Sequence, residues 1–282
     1  MRELFFKLFE MSHFNTGIKV TAFSPAHFVY LALIIGAIVG TYFLMRNRSY
    51  EAKVKLLTAM VAVLLVSYIS DFFVHEFVYA SYDDAGNLIS GGGLNMDKLP
   101  FHICTFLCPV ACLVQFNKKL NRFLEPVVML SVLAPMMYIV YPAAIGDGEP
   151  WCYQAVQTMF YHGTLMAWGI LNLALGVCKP SIKRCWHGGV LLAIITLWAK
   201  LGNVLLEHNW FFLEEDAFYI GLVGNGILPA WTLMIINPIV FFAAVMGVYG
   251  VYYAVMAIKA KVAAKRAPEA EAAEETHEEA TV

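Results

Sequence analysis

Charged side chains are scarce in this sequence. Asp, Glu, Lys and Arg make up 14% of the 282 residues, whereas a typical soluble domain carries about a quarter. Hydrophobic residues make up 60%, and successive apolar runs of about 20 residues are each long enough to cross about 30 Å of hydrocarbon. Little sequence is left between these runs, which excludes a separate soluble domain. The composition therefore predicts one all-α, polytopic membrane domain.

Several motifs of soluble enzymes are also missing. The chain has no P-loop, no dinucleotide-binding glycine pattern and no GxSxG nucleophile turn, so no cofactor is expected. Its six cysteines lie in or beside apolar runs without CxxC spacing, which excludes a secreted disulfide framework and a zinc site of that kind. Burial as small hydrophobic side chains is the alternative reading of each cysteine. The expected partners are membrane lipids and not nucleic acid, and self-association into a homo-oligomer stays open.

The apolar runs predict seven transmembrane helices. The N-terminal segment 1–23 lacks the features of a signal peptide, and its phenylalanines predict a short helix in the membrane interface. The tail 261–282 is rich in Ala and Glu and is predicted to be disordered, acidic and cytoplasmic. The connection 207–228 contains Trp210, Phe211, Phe212 and Phe218, among other residues, and is predicted to fold back as an interfacial helix or lid. The predicted spans, within a seven-helix domain over 24–260, are 24–45, 55–79, 99–116, 123–144, 152–177, 186–206 and 230–257.

Lys and Arg concentrate in every second loop of this arrangement. The other loops hold Lys98 alone and are acidic. Because cytoplasmic loops carry an excess of Lys and Arg, the alternation predicts an external N-terminus and a cytoplasmic C-terminus in the cell membrane. The basic residues within 1–23 lie on the predicted external side and are the one exception to this alternation. The residues of the predicted cytoplasmic side are Arg46, Arg48, Lys53, Lys55, Lys118, Lys119, Arg122, Lys179, Lys183, Arg184, Lys259, Lys261, Lys265 and Arg266.

Polar residues inside the predicted spans fall in the half towards the external side. An ionisable group within a span is costly and normally faces the bundle interior, so this distribution predicts one outer pocket and an apolar inner half. Lys200 is predicted either to reach outward to water or to pair with Asp71. Hydrogen bonding between helices explains Asn203 and Asn237 equally well, and His75 also fits the water boundary. The residues of the predicted pocket are Asp71, His75, His102, Cys104, His162, Lys200, Asn203 and Asn237.

Cys104 and His162 form the candidate catalytic pair of this pocket. A thiol nucleophile needs a base to take its proton, and His102, two residues from Cys104, does not share its helix face. His162 meets this need if the third and fifth spans touch, while buried packing of Cys104 is the alternative. Asp71, His75, His102 and His162 together offer mixed nitrogen and oxygen ligands. Their spacing matches no metal site, and no metal is predicted.

Four short segments carry a family resemblance. They are LPFHIC (Leu99–Cys104), FYHG (Phe160–Gly163), KPSIK (Lys179–Lys183) and GNVLLEHNWFFL (Gly202–Leu213). The order of these segments and their positions relative to the spans resemble the YwaF-like integral membrane family, which includes the animal transmembrane protein 164. The resemblance extends from SPAHF in the first span to the seventh span. The resemblance implies a seven-span fold. It also implies the chemistry of animal members that look like lipid acyltransferases with a cysteine centre, with Cys104 and His162 at the matching positions.

The predicted function is therefore a lipid acyltransferase or acyl-ester hydrolase that acts in the outer half of the bilayer. Cys104 is the expected nucleophile and His162 the expected base, while His102 and Asn203 orient the acyl group or its oxyanion. The alternative is a proton-coupled transporter or a membrane protein that binds a small molecule in the same pocket. Its relay and binding site would consist of Asp71, His75, His162 and Lys200. A non-catalytic scaffold with a charged tail is a third reading.

Overall fold

The computed structural model describes residues 20–74, 81–82, 88–90, 96–141, 149–214, 223 and 225–279, with only the backbone described for 81–82, 88–90 and 265–279. Most of the predicted N-terminal segment 1–23, together with His75, lies outside the described residues. Seven α-helices occur in the described part of the chain. In chain order, α1 to α7 are Pro25–Met45, Tyr50–Phe73, Ile103–Phe116, Leu124–Val140, Tyr153–Ala174, Trp186–Leu206 and Leu233–Glu279.

Five of the helices, α1, α2, α4, α6 and α7, are long and apolar enough to cross a membrane. Helix α3 has 14 residues, about 21 Å at 1.5 Å per residue, and is short for a hydrocarbon core of about 30 Å. Helix α5 has 22 residues but carries buried Gln157, Thr158 and Asn172, which lower its hydropathy. A helical membrane protein is therefore confirmed, whereas the count of seven spans and their orientation stay predictions.

Local sequence explains where several helices begin and end. Ser24 and Ser49 are N-caps, and their hydroxyl oxygens accept hydrogen bonds from the backbone N–H groups of His27 at 3.2 Å and Ala52 at 3.3 Å. The Ser49 cap starts α2 at Tyr50, upstream of the predicted start at 55. After α5, Gly176 adopts φ +73°, a conformation that glycine takes without a Cβ clash.

Helices α4 and α5 form the most extensively packed pair of the bundle. A Cβ added to Gly169 of α5 would lie 3.0 Å from the backbone nitrogen of Val132 in α4, so the glycine permits close approach of the two backbones. Helices α2 and α3 pack against each other, and α2 also packs on α5. Helices α6 and α7 pack against each other and against α4, while α1 packs on α5. The core therefore centres on α4 and α5.

A short β-hairpin, which the hydropathy pattern does not predict, lies between α2 and α3. Strand β1 (Ser81–Tyr82) pairs antiparallel with strand β2 (Leu88–Ser90), with a register irregularity at Ser81 and Tyr82. Helix α3 then follows a 3₁₀ turn at Met96–Lys98. This turn brings Lys98 close to the bundle, where it contacts residues of the candidate site.

The last helix continues beyond the predicted span. The composition of 261–282 favours a disordered tail, whereas the backbone remains helical through Glu279. Alanine and glutamate, which dominate this segment, have high helix propensity. The structure thus differs from the prediction at the C-terminus because the two residue types that dominate the segment favour a helix.

Candidate functional site

A hydrogen bond joins the first turn of α3 to the middle of α5. The backbone carbonyl oxygen of the buried Cys104 accepts it from the Tyr161 hydroxyl at 2.9 Å. His162 follows Tyr161 in the chain, and its ring stacks on Tyr138 of α4 with centroids 4.0 Å apart. Cys104 lies in the neighbourhood of both tyrosines. The approach of α3 to α5 that the candidate pair requires is therefore present.

Two histidines of the site carry their protons on opposite nitrogens. His162 Nδ1 lies 2.8 Å from the carbonyl oxygen of Thr158, and because a carbonyl only accepts, Nδ1 donates and Nε2 keeps a lone pair. His102 Nδ1 instead accepts a hydrogen bond from the backbone N–H of Phe211 at 3.3 Å, so its Nε2 carries the hydrogen in the neutral ring. These tautomers, assigned from the partners, make His162 a candidate base and His102 a candidate donor.

The Cys104 thiol and the His162 ring share neighbours but no hydrogen bond. None joins them among the described residues, where Cys104 is buried and His162 is partly buried. Catalytic contacts in an unliganded site are commonly longer than a tight hydrogen bond. The Cys104–His162 pair therefore stays a prediction, with both residues placed around Tyr138 and Tyr161.

Asp71 forms a buried ion pair with Lys98. Lys98 Nζ lies 3.4 Å from Asp71 Oδ2, and the Asp71 side chain is 3% exposed. The same ammonium lies 3.5 Å from Oε1 of Gln157 in α5, which links the pair to the helix that carries His162. The predicted pairing of Lys200 with Asp71 is wrong, because Lys200 Nζ lies 2.6 Å from Glu214 Oε1. Sequence reasoning counted Lys98 only as a loop charge, since it stands outside the helical part of the span.

A buried 3₁₀ turn at Trp210–Phe212 folds back into the bundle between α6 and α7. Asn203 of α6 binds the backbone of Trp210 twice: Oδ1 accepts from its N–H at 2.7 Å, and Nδ2 donates to its carbonyl at 3.1 Å. Asn237 of α7 donates to two carbonyls of the turn at 2.9 and 3.1 Å. Phe211 has φ +57°, which is costly for a non-glycine residue unless the surroundings hold it. The hydrogen bonds of both asparagines serve this turn.

Polar groups also occupy the end of the bundle where α3 and α5 end, so the predicted apolar inner half is wrong. Glu125, in the first turn of α4, is 6% exposed and accepts hydrogen bonds from three other residues. Gln115 of α3 donates to the Thr58 hydroxyl of α2 at 3.1 Å and accepts from Trp168 Nε1 of α5 at 3.2 Å. The sequence analysis did not predict these buried polar groups, although a glutamate inside the predicted span 123–144 indicated one of them.

No metal centre emerges from the described part of the chain. There, no group of three or more His, Cys, Asp and Glu side chains lies close enough to hold a metal ion. The mixed set considered from the sequence includes His75, which lies outside the described residues, so that set as a whole is not tested.

Comparison with known proteins gives one match. A sequence model of the TMEM164 family matches residues 22–250, which covers most of the chain and all seven helix starts. No curated protein and no solved structure matches the chain. The matched region includes Cys104, His162 and the turn at Trp210–Phe212.

Proposed function

This chain belongs to the TMEM164 family, and from that premise we propose that it is a membrane enzyme acting on lipid acyl esters. Cys104 is the nucleophile and His162 the base. The observation that carries the proposal is the junction of α3, α4 and α5: the Tyr161 hydroxyl binds the Cys104 carbonyl at 2.9 Å, and the adjacent His162 stacks on Tyr138. The free lone pair on His162 Nε2 supports the role of base.

The first half-reaction transfers the acyl group to the enzyme. His162 Nε2 takes the proton from the Cys104 thiol, and the thiolate attacks the carbonyl carbon of the lipid ester. The Nε2–H of His102 is the candidate donor to the oxyanion that forms. When the intermediate collapses, the carbon–oxygen ester bond breaks and the leaving alkoxide takes the proton from His162. The products are a lipid alcohol and an acyl thioester on Cys104.

The second half-reaction releases the acyl group. His162 takes a proton from the hydroxyl of a second lipid, whose oxygen attacks the thioester carbonyl; the carbon–sulfur bond then breaks, and the thiolate recovers the proton. Water in place of the second lipid gives hydrolysis by the same steps. Because the buried site lies among apolar helices, access favours lipid hydroxyls and makes transfer the main reaction. In this scheme Asn203 and Asn237 position the turn that carries the Phe211 N–H bound to His102.

The test uses purified full-length protein and a phospholipid labelled in its acyl chain, with a lysophospholipid as acceptor. Cys104→Ala and His162→Ala should each lower acyl transfer at least about a hundredfold, because they remove the nucleophile and the base. Cys104→Ser should retain at most a small residual rate. The control is Cys185→Ser, which changes a partly exposed cysteine outside the candidate site and should leave the rate within about twofold of wild type.

The proposal fails if Cys104→Ala transfers or releases acyl chains as fast as wild type. Thermal unfolding in detergent accompanies each assay, because a variant that unfolds at the wild-type temperature but loses activity has lost a chemical group and not its fold. A trapped acyl thioester on Cys104, detected by intact-protein mass and cleaved by hydroxylamine, would support the first half-reaction directly.

A second candidate function is proton-coupled transport, which the buried Asp71–Lys98 pair favours. A buried carboxylate paired with a lysine within a membrane protein is a common element of proton relays. Transport predicts that Asp71→Asn abolishes uptake into vesicles while Cys104→Ala leaves it unchanged. The enzyme proposal predicts that Cys104→Ala abolishes acyl transfer while Asp71→Asn leaves it unchanged. The two variants measured in both assays therefore separate the two functions.

A further inference from the structure

A cleft of about 400 Å³ opens at the end of the bundle away from Cys104, where α1 and α5 end. Eleven residues of α5, about 16 Å at 1.5 Å per residue, separate His162 from Leu173 in the cleft lining. We call this feature the basic cleft. Its polar lining consists of Tyr42, Arg46, Lys53, Lys179, Tyr252 and Lys259.

The four cations of the basic cleft have no acidic partner. The lining contains no Asp or Glu, and none of the four forms an ion pair with an acid in the described part of the chain. Lys259 Nζ lies 5.8 Å from the ring centre of Tyr42, a contact that leaves its charge intact. Four unpaired positive charges around one concave surface repel one another and create a strongly positive potential. An anion in the cleft would remove this cost.

The remaining lining suits a ligand with both a polar and an apolar part. The hydroxyls of Tyr42 and Tyr252 make no hydrogen bond with a described residue, so both are available to donate to phosphate oxygens. The apolar part of the lining includes Leu173, Leu175 and Met256, which offer apolar contact in the same cleft as the charges.

Exposed apolar side chains continue from the basic cleft along the outside of two helices. On α7, Val255 is 44% exposed and shares a helix face with Tyr252 and Lys259, at spacings of three and four residues. On α1, Val39 is 46% exposed and stands three residues from Tyr42. When the charged end of a ligand fills the cleft, its apolar chains can therefore contact the exposed side chains of α1 and α7.

We propose that the basic cleft binds the headgroup of an anionic phospholipid, with the acyl chains along α1 and α7. Charge complementarity selects a phosphate group with net negative charge, and the apolar lining together with the exposed apolar side chains on α1 and α7 selects the lipid over a free anion. This site is separate from the candidate catalytic residues and does not rest on the proposed enzyme function. Its test is a binding measurement, so failure of either proposal leaves the other standing.

The experiment measures fluorescence anisotropy of acyl-labelled phosphatidylglycerol with full-length protein in a neutral detergent. Identically labelled phosphatidylcholine reports the contribution of the acyl chains alone. We expect phosphatidylglycerol to bind at least about tenfold more tightly, and Arg46→Gln/Lys259→Gln to lower this preference at least about tenfold, because each cation near an anionic headgroup contributes a factor of about five. The preference should also weaken as salt rises.

The matched control is Lys118→Gln/Lys119→Gln, which removes two exposed cations from a loop on the same predicted side but outside the basic cleft. It should keep the preference. The proposal is overturned if the control loses the preference equally, if the cleft variant keeps it, or if inorganic phosphate displaces the probe with the affinity of the lipid. Lys53→Gln/Lys179→Gln removes the other two cleft cations and provides an independent result if the first pair lowers protein yield.

Discussion

At the scale of single residues, Glu125 shows how one buried carboxylate holds several elements together. Its Oε1 accepts from the Ser181 N–H at 2.8 Å and from the Tyr249 hydroxyl at 2.7 Å. Its Oε2 lies 2.8 Å from both Nε and one terminal nitrogen of Arg184. The carboxylate therefore joins α4, α7 and the KPSIK turn, which gives that motif a structural role.

Glu125→Gln should lower the free energy of unfolding by about 1–3 kcal/mol, because an amide keeps one acceptor and places a donor towards Arg184. This range allows for solvent screening at Arg184, whose side chain is 53% exposed. Thermal unfolding in detergent measures the change. The control is Glu51→Gln, whose Lys55 partner is 75% exposed and which should cost less than about 0.5 kcal/mol. Equal stability of the two variants would contradict the role given to Glu125.

Individual residues of the site were predictable by type but not by partner. The sequence places Asp71, Cys104 and His162 in the outer part of their spans, because depth follows from position along a helix. It could not identify Lys98 as the partner of Asp71, since that contact depends on how the chain turns at Met96–Lys98 before α3.

At the scale of elements, the turn at Trp210–Phe212 determines how α6 connects to α7. The connection 207–228 was predicted to fold back as an interfacial helix or lid, whereas Trp210–Phe212 form a buried 3₁₀ turn; 215–222 and 224 lie outside the described residues. Trp210 and Phe211 are almost fully buried, and Trp210 Nε1 also donates to the Met96 carbonyl at 3.1 Å. The turn is therefore part of the core and links α6 to the segment before α3.

Asn237→Leu should loosen this turn without changing side-chain volume much. It removes two hydrogen bonds, worth about 2 kcal/mol together, so the amide hydrogens of Trp210 and Phe211 should exchange roughly thirtyfold faster. Hydrogen exchange followed by mass spectrometry measures the rate. Asn117→Leu removes a cap from an exposed turn and should leave exchange at residues 210–212 unchanged. Unchanged protection in Asn237→Leu would show that the turn is held by packing alone.

At the scale of the whole molecule, charge and packing act on different parts of the chain. Loop charges predict orientation, while the helix most deeply involved in the bundle, α5, is not among the five most apolar candidates. Its Gln157 and Asn172 are buried, and Gln157 donates to the Ser67 carbonyl of α2 at 3.2 Å, so a polar helix can occupy the bundle when its neighbours cover the polar face. A helix outside the set of long apolar candidates can therefore lie at the centre of the bundle.

The predicted orientation can be tested with fusions along the chain. A reporter that is active only in the cytoplasm should function when fused after Lys119 or Val282, and a reporter that is active only after export should function when fused after Gly146. The positive-inside distribution of Lys and Arg is the physical reason. Activity of one reporter type at both Lys119 and Gly146 would contradict the alternation of the loops. An inactive cytoplasmic reporter at Val282 would contradict the predicted cytoplasmic C-terminus.

The sequence by itself determined that this is a helical membrane protein of a known family, because hydropathy, helix length and motif order are local properties of the chain. It also predicted where most helices lie and that Cys104 and His162 belong to different helices of one region. Only the tertiary structure decided which groups meet: the α3–α5 hydrogen bond, the Asp71–Lys98 pair, the Glu125 centre and the basic cleft. These contacts depend on the rotation and depth of each helix against its neighbours, and the hydropathy of a segment contains neither quantity.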